Sequence, residues 1–180
     1  MKILMVSTEY PPMNGGVAHY SQKLVGSLRN EGLEVCVVSN EDGNGEFTGI
    51  SPYNHHNSEV LMKAVEEFKP DVVHVQYEPG LYGIHLDPIN PRRTRTNIDS
   101  FYHNCKLPIV TTFHSAYTFA QWMRLIIPIA GGRFGSAGIH LRTMFDYWSH
   151  LLNYSSFSSL NRTKIGHNRI GIVFSKYLQN

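Results

Sequence analysis

The chain has 180 residues, of which 42% are hydrophobic and 17% charged, with a formal net charge of +2. That length and apolar content suit one ordinary domain with a full core and exclude a disordered or fibrous chain. The near-neutral balance leaves no electrostatic footprint for nucleic acid, and the two cysteines, Cys36 and Cys105, make no disulfide framework.

Lys2 to Ser7 is a short apolar run with β character. Thr8 to Gly16 follows as a loop, because no helix or strand passes through Pro11-Pro12. From Val17 the apolar residues recur at helical spacing, with Val17, Tyr20, Leu24 and Leu28 forming the predicted buried stripe. Glu31-Gly32 closes this helix, and Glu34 to Ser39 is a second buried strand that contains Cys36 as a small core residue. Glu41 to Gly49 is loop, with a short edge strand expected over Phe47 to Ile50. Leu61, Ala64, Val65 and Phe68 mark a second helix, predicted to be capped at Ser58 and to stop before Pro70. Asp71 to Gln76 and Pro108 to Phe113 read as strands, and a helix is expected between them within Arg92 to Asn104. Ile139 to Leu152 is an amphipathic helix whose stripe, Leu141, Met144, Phe145, Trp148, Leu151 and Leu152, reads as core packing. Arg169 to Phe174 is the last strand, and Ser175 to Asn180 begins a further helix.

The most apolar segment, Trp122 to Ala130, is short and broken by Pro128. With no secretory signal after Met1-Lys2 and no stretch of spanning length, a reducing cytoplasm is the expected compartment. The sequons at Asn153 and Asn161 are then chance matches.

Apolar strands alternating with helices predict an α/β fold, a Rossmann-like parallel sheet with helices on both faces. The expected strand order is Phe47–Ile50, Glu34–Ser39, Lys2–Ser7, Asp71–Gln76, Pro108–Phe113, Arg169–Phe174. Such sheets bind ligands at the carboxyl ends of the strands, where the order reverses. Here the reversal falls between the first strand and Asp71–Gln76. Gly15-Gly16 and the loop from Tyr77 to Gly83 flank that crevice. Gly15-Gly16 also stands at a helix N-terminus, where unsatisfied N–H groups and partial positive charge suit an anion such as phosphate. A plain strand-to-helix turn accounts for the glycines equally well when they are taken alone. Convergence of two glycine-bearing loops on one crevice favours a ligand site.

Several chemistries lack their signatures. The G-x-G-x-x-G fingerprint is absent, the second strand ends in Ser39-Asn40, and no G-K-[ST] follows the glycines. There is no G-x-S-x-G elbow, H-E-x-x-H or C-x-x-C. Among ten histidines, His55 and His56 are adjacent, and adjacent ligands rarely close on one metal. No metal or other cofactor is expected.

The ordered motifs resemble the N-terminal domain of retaining GT-B glycosyltransferases, specifically glycosyltransferase family 4. They are Met1 to Val6, then Glu9-Tyr10-Pro11-Pro12 with Gly15-Gly16-Val17-Ala18, Pro70 to Gln76, Pro108 to His114, and Arg169 to Leu178. The resemblance implies that Gly15 and Gly16 bring backbone N–H groups to a donor diphosphate, and that His114 lies near the transferred sugar. Without that context His114 reads as a histidine at a strand end. Tyr77 and Glu78 are acceptor candidates on the crevice loop, although Glu78 reads equally as a solvated carboxylate. Arg124, Arg133 and Gly131-Gly132 are candidates for a variable acceptor lip.

The resemblance implies transfer of a hexose from a nucleotide-sugar to a glycan or lipid-linked acceptor, without a metal. It places such a chain in the cytoplasm, with peripheral contact at the inner face of the membrane among the expectations. Residues 1–180 correspond to the single acceptor-side domain. The family's C-terminal nucleotide-sugar domain is not included, so a companion domain or subunit is the expected partner and the isolated chain is expected to be inactive. Two alternatives stand beside this: a non-catalytic Rossmann-like binding or scaffold module working through a partner chain, and a nucleotide-sugar epimerase of GT-B architecture. The latter also needs a C-terminal domain, and the Pro11-Pro12 to Gly15-Gly16 loop fits transferases better.

Overall fold

The computed structural model describes residues 1–86, 94–115, 164 and 169–173. The chain forms strand β1 (Lys2–Val6), helix α1 (Gly16–Asn30), β2 (Glu34–Ser39), β3 (Phe47–Thr48), α2 (Asn57–Phe68), β4 (Val72–Tyr77), a 3₁₀ turn (Pro79–Tyr82), β5 (Ile84–Leu86), β6 (Thr94–Thr96), α3 (Asp99–Asn104), β7 (Ile109–Phe113) and β8 (Arg169–Val173). Six strands make one sheet in the order β3-β2-β1-β4-β7-β8. Every pairing in it is parallel. This is the predicted α/β, Rossmann-like architecture, with the order reversing between β1 and β4. Strands β5 and β6 form a separate antiparallel pair.

Strand alternation assigns the core residues to two faces. Ile3, Met5, Val35 and Val37 pack with Val25, Leu24 and Leu28 of α1 on one face. Leu4, Val6, Cys36, Val38, Val73 and Val75 pack with Leu61 and Ala64 of α2 and with Phe101 and Tyr102 of α3 on the other. Helices therefore cover both faces. Cys36 and Cys105 are free and buried, and burial pushes the Cys36 thiol up to about 11.

The buried stripe of α1 is offset from the predicted one. Ala18, Ser21 and Val25 are its buried residues, whereas Val17 and Tyr20 are only half-buried. Small side chains bring the helix close enough for Ser21 Oγ to lie 2.8 Å from Ser7 Oγ. Ser7 in turn donates to the Glu9 carbonyl at 2.6 Å.

Ser58 does not cap α2. Asn57 imitates a backbone unit toward Ser51, accepting from its N–H at 3.0 Å and donating to its carbonyl at 2.7 Å. That clamp starts the helix two residues earlier, with His56 as the N-cap, and puts Ser58 inside the first turn. At the other end, Lys69 adopts a left-handed conformation with φ 54° and closes α2 before Pro70.

The helix expected within Arg92 to Asn104 is confined to α3, and Thr94–Thr96 is strand. Asp99 makes the boundary, accepting from the Thr96 hydroxyl at 2.7 Å and the Thr96 N–H at 3.3 Å. Asp99 also pairs with the buried Lys164 ammonium. The predicted helices over 139–152 and 175–180 lie outside the described residues. Among the described residues no helix is long and apolar enough to cross a membrane.

Candidate functional site

Parallel strands deliver their loops to one edge of the sheet, and at the reversal point those loops cannot follow each other across it. The loop after β1 runs to α1, and Tyr77 to Gly83 leaves from the adjacent β4. Gly15-Gly16 and the Glu78 turn therefore share the carboxyl edge.

Two sides of that edge differ. On the α2–α3 side the 3₁₀ turn folds back and inserts Tyr82, which is fully buried. Its hydroxyl donates to the Gln76 carbonyl at 2.9 Å and approaches the Val6 carbonyl at 3.5 Å. Tyr77 stacks on Tyr82 with ring centroids 5.8 Å apart and meets Phe113 edge to face. Tyr77 is thus a core residue at the end of β4, 0% exposed, and does not stand on a crevice loop. Odd positions of β4 face this core, which is why Tyr77 follows Val73 and Val75 inward. Burial also raises its phenol well above the usual range.

On the α1 side the sheet surface turns polar. His74 and Gln76 of β4 lie on this face, with Thr112 of β7 and His114 just beyond it. His74 pairs in register with Val110, and Gln76 with Thr112. Each side chain reaches diagonally to the residue two positions past its register partner. His74 Nε2 lies 2.8 Å from Thr112 Oγ1, and Gln76 Oε1 lies 2.9 Å from His114 Nε2. Burial lowers the His74 imidazole to about 4, with His114 adding to the effect, so His74 is neutral at pH 7. Burial also lowers His114 from its ordinary value. The backbone N–H of His114 donates to the Tyr77 carbonyl at 3.0 Å, holding the residue at the end of β7.

Helix α1 meets this polar ladder through Tyr20, whose ring lies edge to face with His114 at 5.2 Å between centroids. Tyr20 follows Gly16 by four residues, one turn along the same helix face, a rise of about 5.4–6 Å. Gly16 and His114 are therefore brought to one side of the edge.

Gly15 is the N-cap of α1, with φ −155° and ψ 160°, and provides no side-chain cap. Neither Gly15 nor Gly16 needs a glycine for its backbone angles. Space distinguishes them instead. A Cβ at Gly15 would collide with the Glu9 carboxylate, whereas one at Gly16 would meet nothing within 4 Å. The mouth of α1 thus already holds a carboxylate, where a helix N-terminus favours negative charge, and beside it an open position.

Glu78 follows β4 at the same parity as His74 and Gln76, half-buried, and its carbonyl accepts the Leu81 N–H at 2.9 Å. Arg124, Arg133 and Gly131-Gly132 lie outside the described residues. His55 and His56 diverge: His55 Nδ1 is 3.2 Å from Asn97 Oδ1, and His56 Nδ1 is 3.0 Å from Glu59 Oε1. Among the described residues no group of three or more His, Cys, Asp or Glu side chains is placed to hold a metal ion. After β2, where a dinucleotide reader carries an acidic residue, the Ser39 hydroxyl donates to the Asn40 carbonyl and accepts the Gly45 N–H.

Sequence reasoning missed Glu9, His74, Gln76 and Thr112. The signal was present in Val72-Val73-His74-Val75-Gln76: polar residues at every second position of a strand that is buried on both faces.

No protein-family model matches the chain, and no curated protein sequence matches it. Among solved structures, UDP-glucose 4-epimerase of Thermus thermophilus, in complex with NAD, aligns at a TM-score of 0.33 and 13% sequence identity, covering 73% of this chain. The chain spans 63% of the length of that protein.

Proposed function

We propose that the chain is the acceptor-side domain of a nucleotide-sugar-dependent retaining glycosyltransferase, moving a hexose to a glycan or lipid-linked acceptor. The observation that carries this reading is the joining of the α1 N-terminus to His114 through Tyr20 at the reversal point of the sheet. Amides at the start of α1 suit the donor diphosphate, whose charge grows as the glycosidic bond breaks. The open position at Gly16 admits that group, and Glu9 must withdraw from Gly15 as it docks, since two anions repel at contact distance. His114, neutral because of burial, offers a hydrogen bond to a sugar hydroxyl without adding charge.

Base and ribose contacts belong to a second domain on this reading. A helix N-terminus contributes only about 0.3–1 kcal/mol toward an exposed anion, against a rigid-body association cost of roughly 4 kcal/mol or more. The isolated chain should therefore bind donors weakly and transfer nothing. Calorimetry with UDP-, GDP- and ADP-sugars on the chain alone, followed by a transfer assay after joining it to a donor-binding domain, tests both statements. Weak binding followed by transfer supports the proposal. Saturable micromolar binding to the chain alone overturns the half-enzyme assignment, and a joined protein that binds donor but transfers to no acceptor favours a binding or scaffold module.

A further inference from the structure

We propose that Gln76 sets the proton position on His114, holding the imidazole as its Nε2–H tautomer with Nδ1 as the unprotonated nitrogen. Gln76 is fully buried between two partners of unlike chemistry. On one side its Nε2 donates to Met5 Sδ at 3.3 Å. On the other its Oε1 lies 2.9 Å from His114 Nε2.

A thioether accepts a hydrogen bond weakly and donates none. The amide N–H therefore belongs on the Met5 side, which leaves the carbonyl oxygen facing His114. An acceptor there demands a proton on Nε2. The reversed amide would set oxygen lone pairs against sulfur, leaving a buried acceptor without a donor. Among the described residues, the neighbouring strands hold this amide in place. β4 is held between β1 and β7, and the neighbouring rung is occupied by His74 and Thr112.

The consequence for a ligand rests on the transferase reading. In this tautomer a neutral imidazole accepts through Nδ1 and is matched to a hydroxyl, not to a phosphate oxygen. Gln76 acts only through His114 and is a positioning residue.

The test is nitrogen-15 imidazole spectroscopy of the 180-residue chain above neutral pH, without ligand. His114 is expected to show Nε2 protonated and Nδ1 unprotonated. Gln76→Met removes the acceptor at similar length and should shift the tautomer ratio roughly tenfold toward Nδ1–H, the ratio set by loss of one buried hydrogen bond. Gln76→Glu keeps an acceptor oxygen toward Nε2 and should leave Nε2 protonated, with the carboxylate raising the imidazole's affinity for a second proton. Thr112→Val takes the partner from His74 alone and should leave the His114 ratio unchanged. An Nδ1–H tautomer in the wild-type chain overturns the proposal, as does an unchanged ratio in a natively folded Gln76→Met. If that variant does not fold, the wild-type assignment decides. Because no sugar enters the measurement, failure of the transferase reading leaves this result standing, and the reverse also holds.

Discussion

Tyr20 and His114 meet edge to face, with ring centroids 5.2 Å apart and planes at 78°, and this contact ties helix α1 to the end of β7. The two residues separate structural from chemical roles. Tyr20→Ala is expected to lower unfolding free energy by about 0.5–1.5 kcal/mol, the worth of an aromatic pair, and to reduce transfer only through the looser imidazole. His114→Ala is expected to cut turnover roughly 10- to 100-fold in the chain joined to a donor-binding domain, the range for losing one buried hydrogen bond of about 1–3 kcal/mol to the reacting sugar. Denaturant curves and initial rates on both variants check this. Unchanged rates with a lowered melting temperature in His114→Ala would mark that residue as purely structural.

Gly16 and Gly15 respond to different constraints. A side chain at Gly16 enters open space, so Gly16→Val should fold normally. It should nevertheless lower turnover of the joined enzyme by about two to three orders of magnitude, because it fills the position proposed for the diphosphate and keeps that group from the amide donors. Gly15→Val must first displace the Glu9 carboxylate. Circular dichroism, thermal melts and steady-state kinetics distinguish the two. A folded Gly16→Val with wild-type turnover would remove the phosphate role from this loop.

His74 makes stability depend on pH in a defined direction. Its ordinary value of 6.5 falls to about 4 in the folded chain through burial, with His114 nearby. Between those values the unfolded chain binds the extra proton, so stability rises with pH. The His74 contribution is complete above about pH 6.5 and is lost as pH falls toward 4, a change on the order of 3 kcal/mol. Burial of His114 acts in the same direction. Urea midpoints at several pH values should show this slope. The double variant His74→Leu, Thr112→Val removes both hydrogen-bonding partners and should reduce the slope to the part that His114 contributes. A wild-type midpoint independent of pH across that window would contradict a buried neutral His74.

The α1–sheet contact depends on a hydroxyl pair. Ser21 and Ser7 are both 0% exposed and bonded to each other at 2.8 Å. Ser21→Ala leaves Ser7 still donating to the Glu9 carbonyl, so the expected loss is about 1 kcal/mol. Ser21→Leu should cost more, because the helix would have to lift off the sheet. Equilibrium unfolding of the two variants gives the comparison, and equal losses would mean that packing at Ser21 is loose.

The strand order was legible because buried parallel strands announce themselves as apolar runs, and crossover rules leave few orders for six of them. Lys2–Ser7, Glu34–Ser39 and Asp71–Gln76 are such runs. Site residues were harder to read. Gly15-Gly16 and His114 stood out because glycine pairs and strand-end histidines are conspicuous in one dimension. Tyr77 was misplaced by a single residue: it continues β4, and the strand's alternation turns its ring into the core. The α1 stripe was misread for a related reason. Large apolar residues weigh most in a periodicity, but Ala18 and Ser21 sit nearest the sheet because they are small. Glu9 acts across its own loop, on Gly15, and Gln76 acts across strands, on His114, which no strand or helix periodicity reveals.

Tyr82 gives the carboxyl edge a fixed floor. One buried phenol donates to the Gln76 carbonyl near the end of β4 and lies 3.5 Å from the Val6 carbonyl that ends β1, the two strands whose loops diverge at the reversal point. Parting these strand ends would open a gap beside a ring that is fully buried in the core. Opening or closing at this edge is then expected in the backbone from Glu9 to Gly15, above that base. Differences in amide hydrogen exchange between that loop and β4 would then be set by the loop alone.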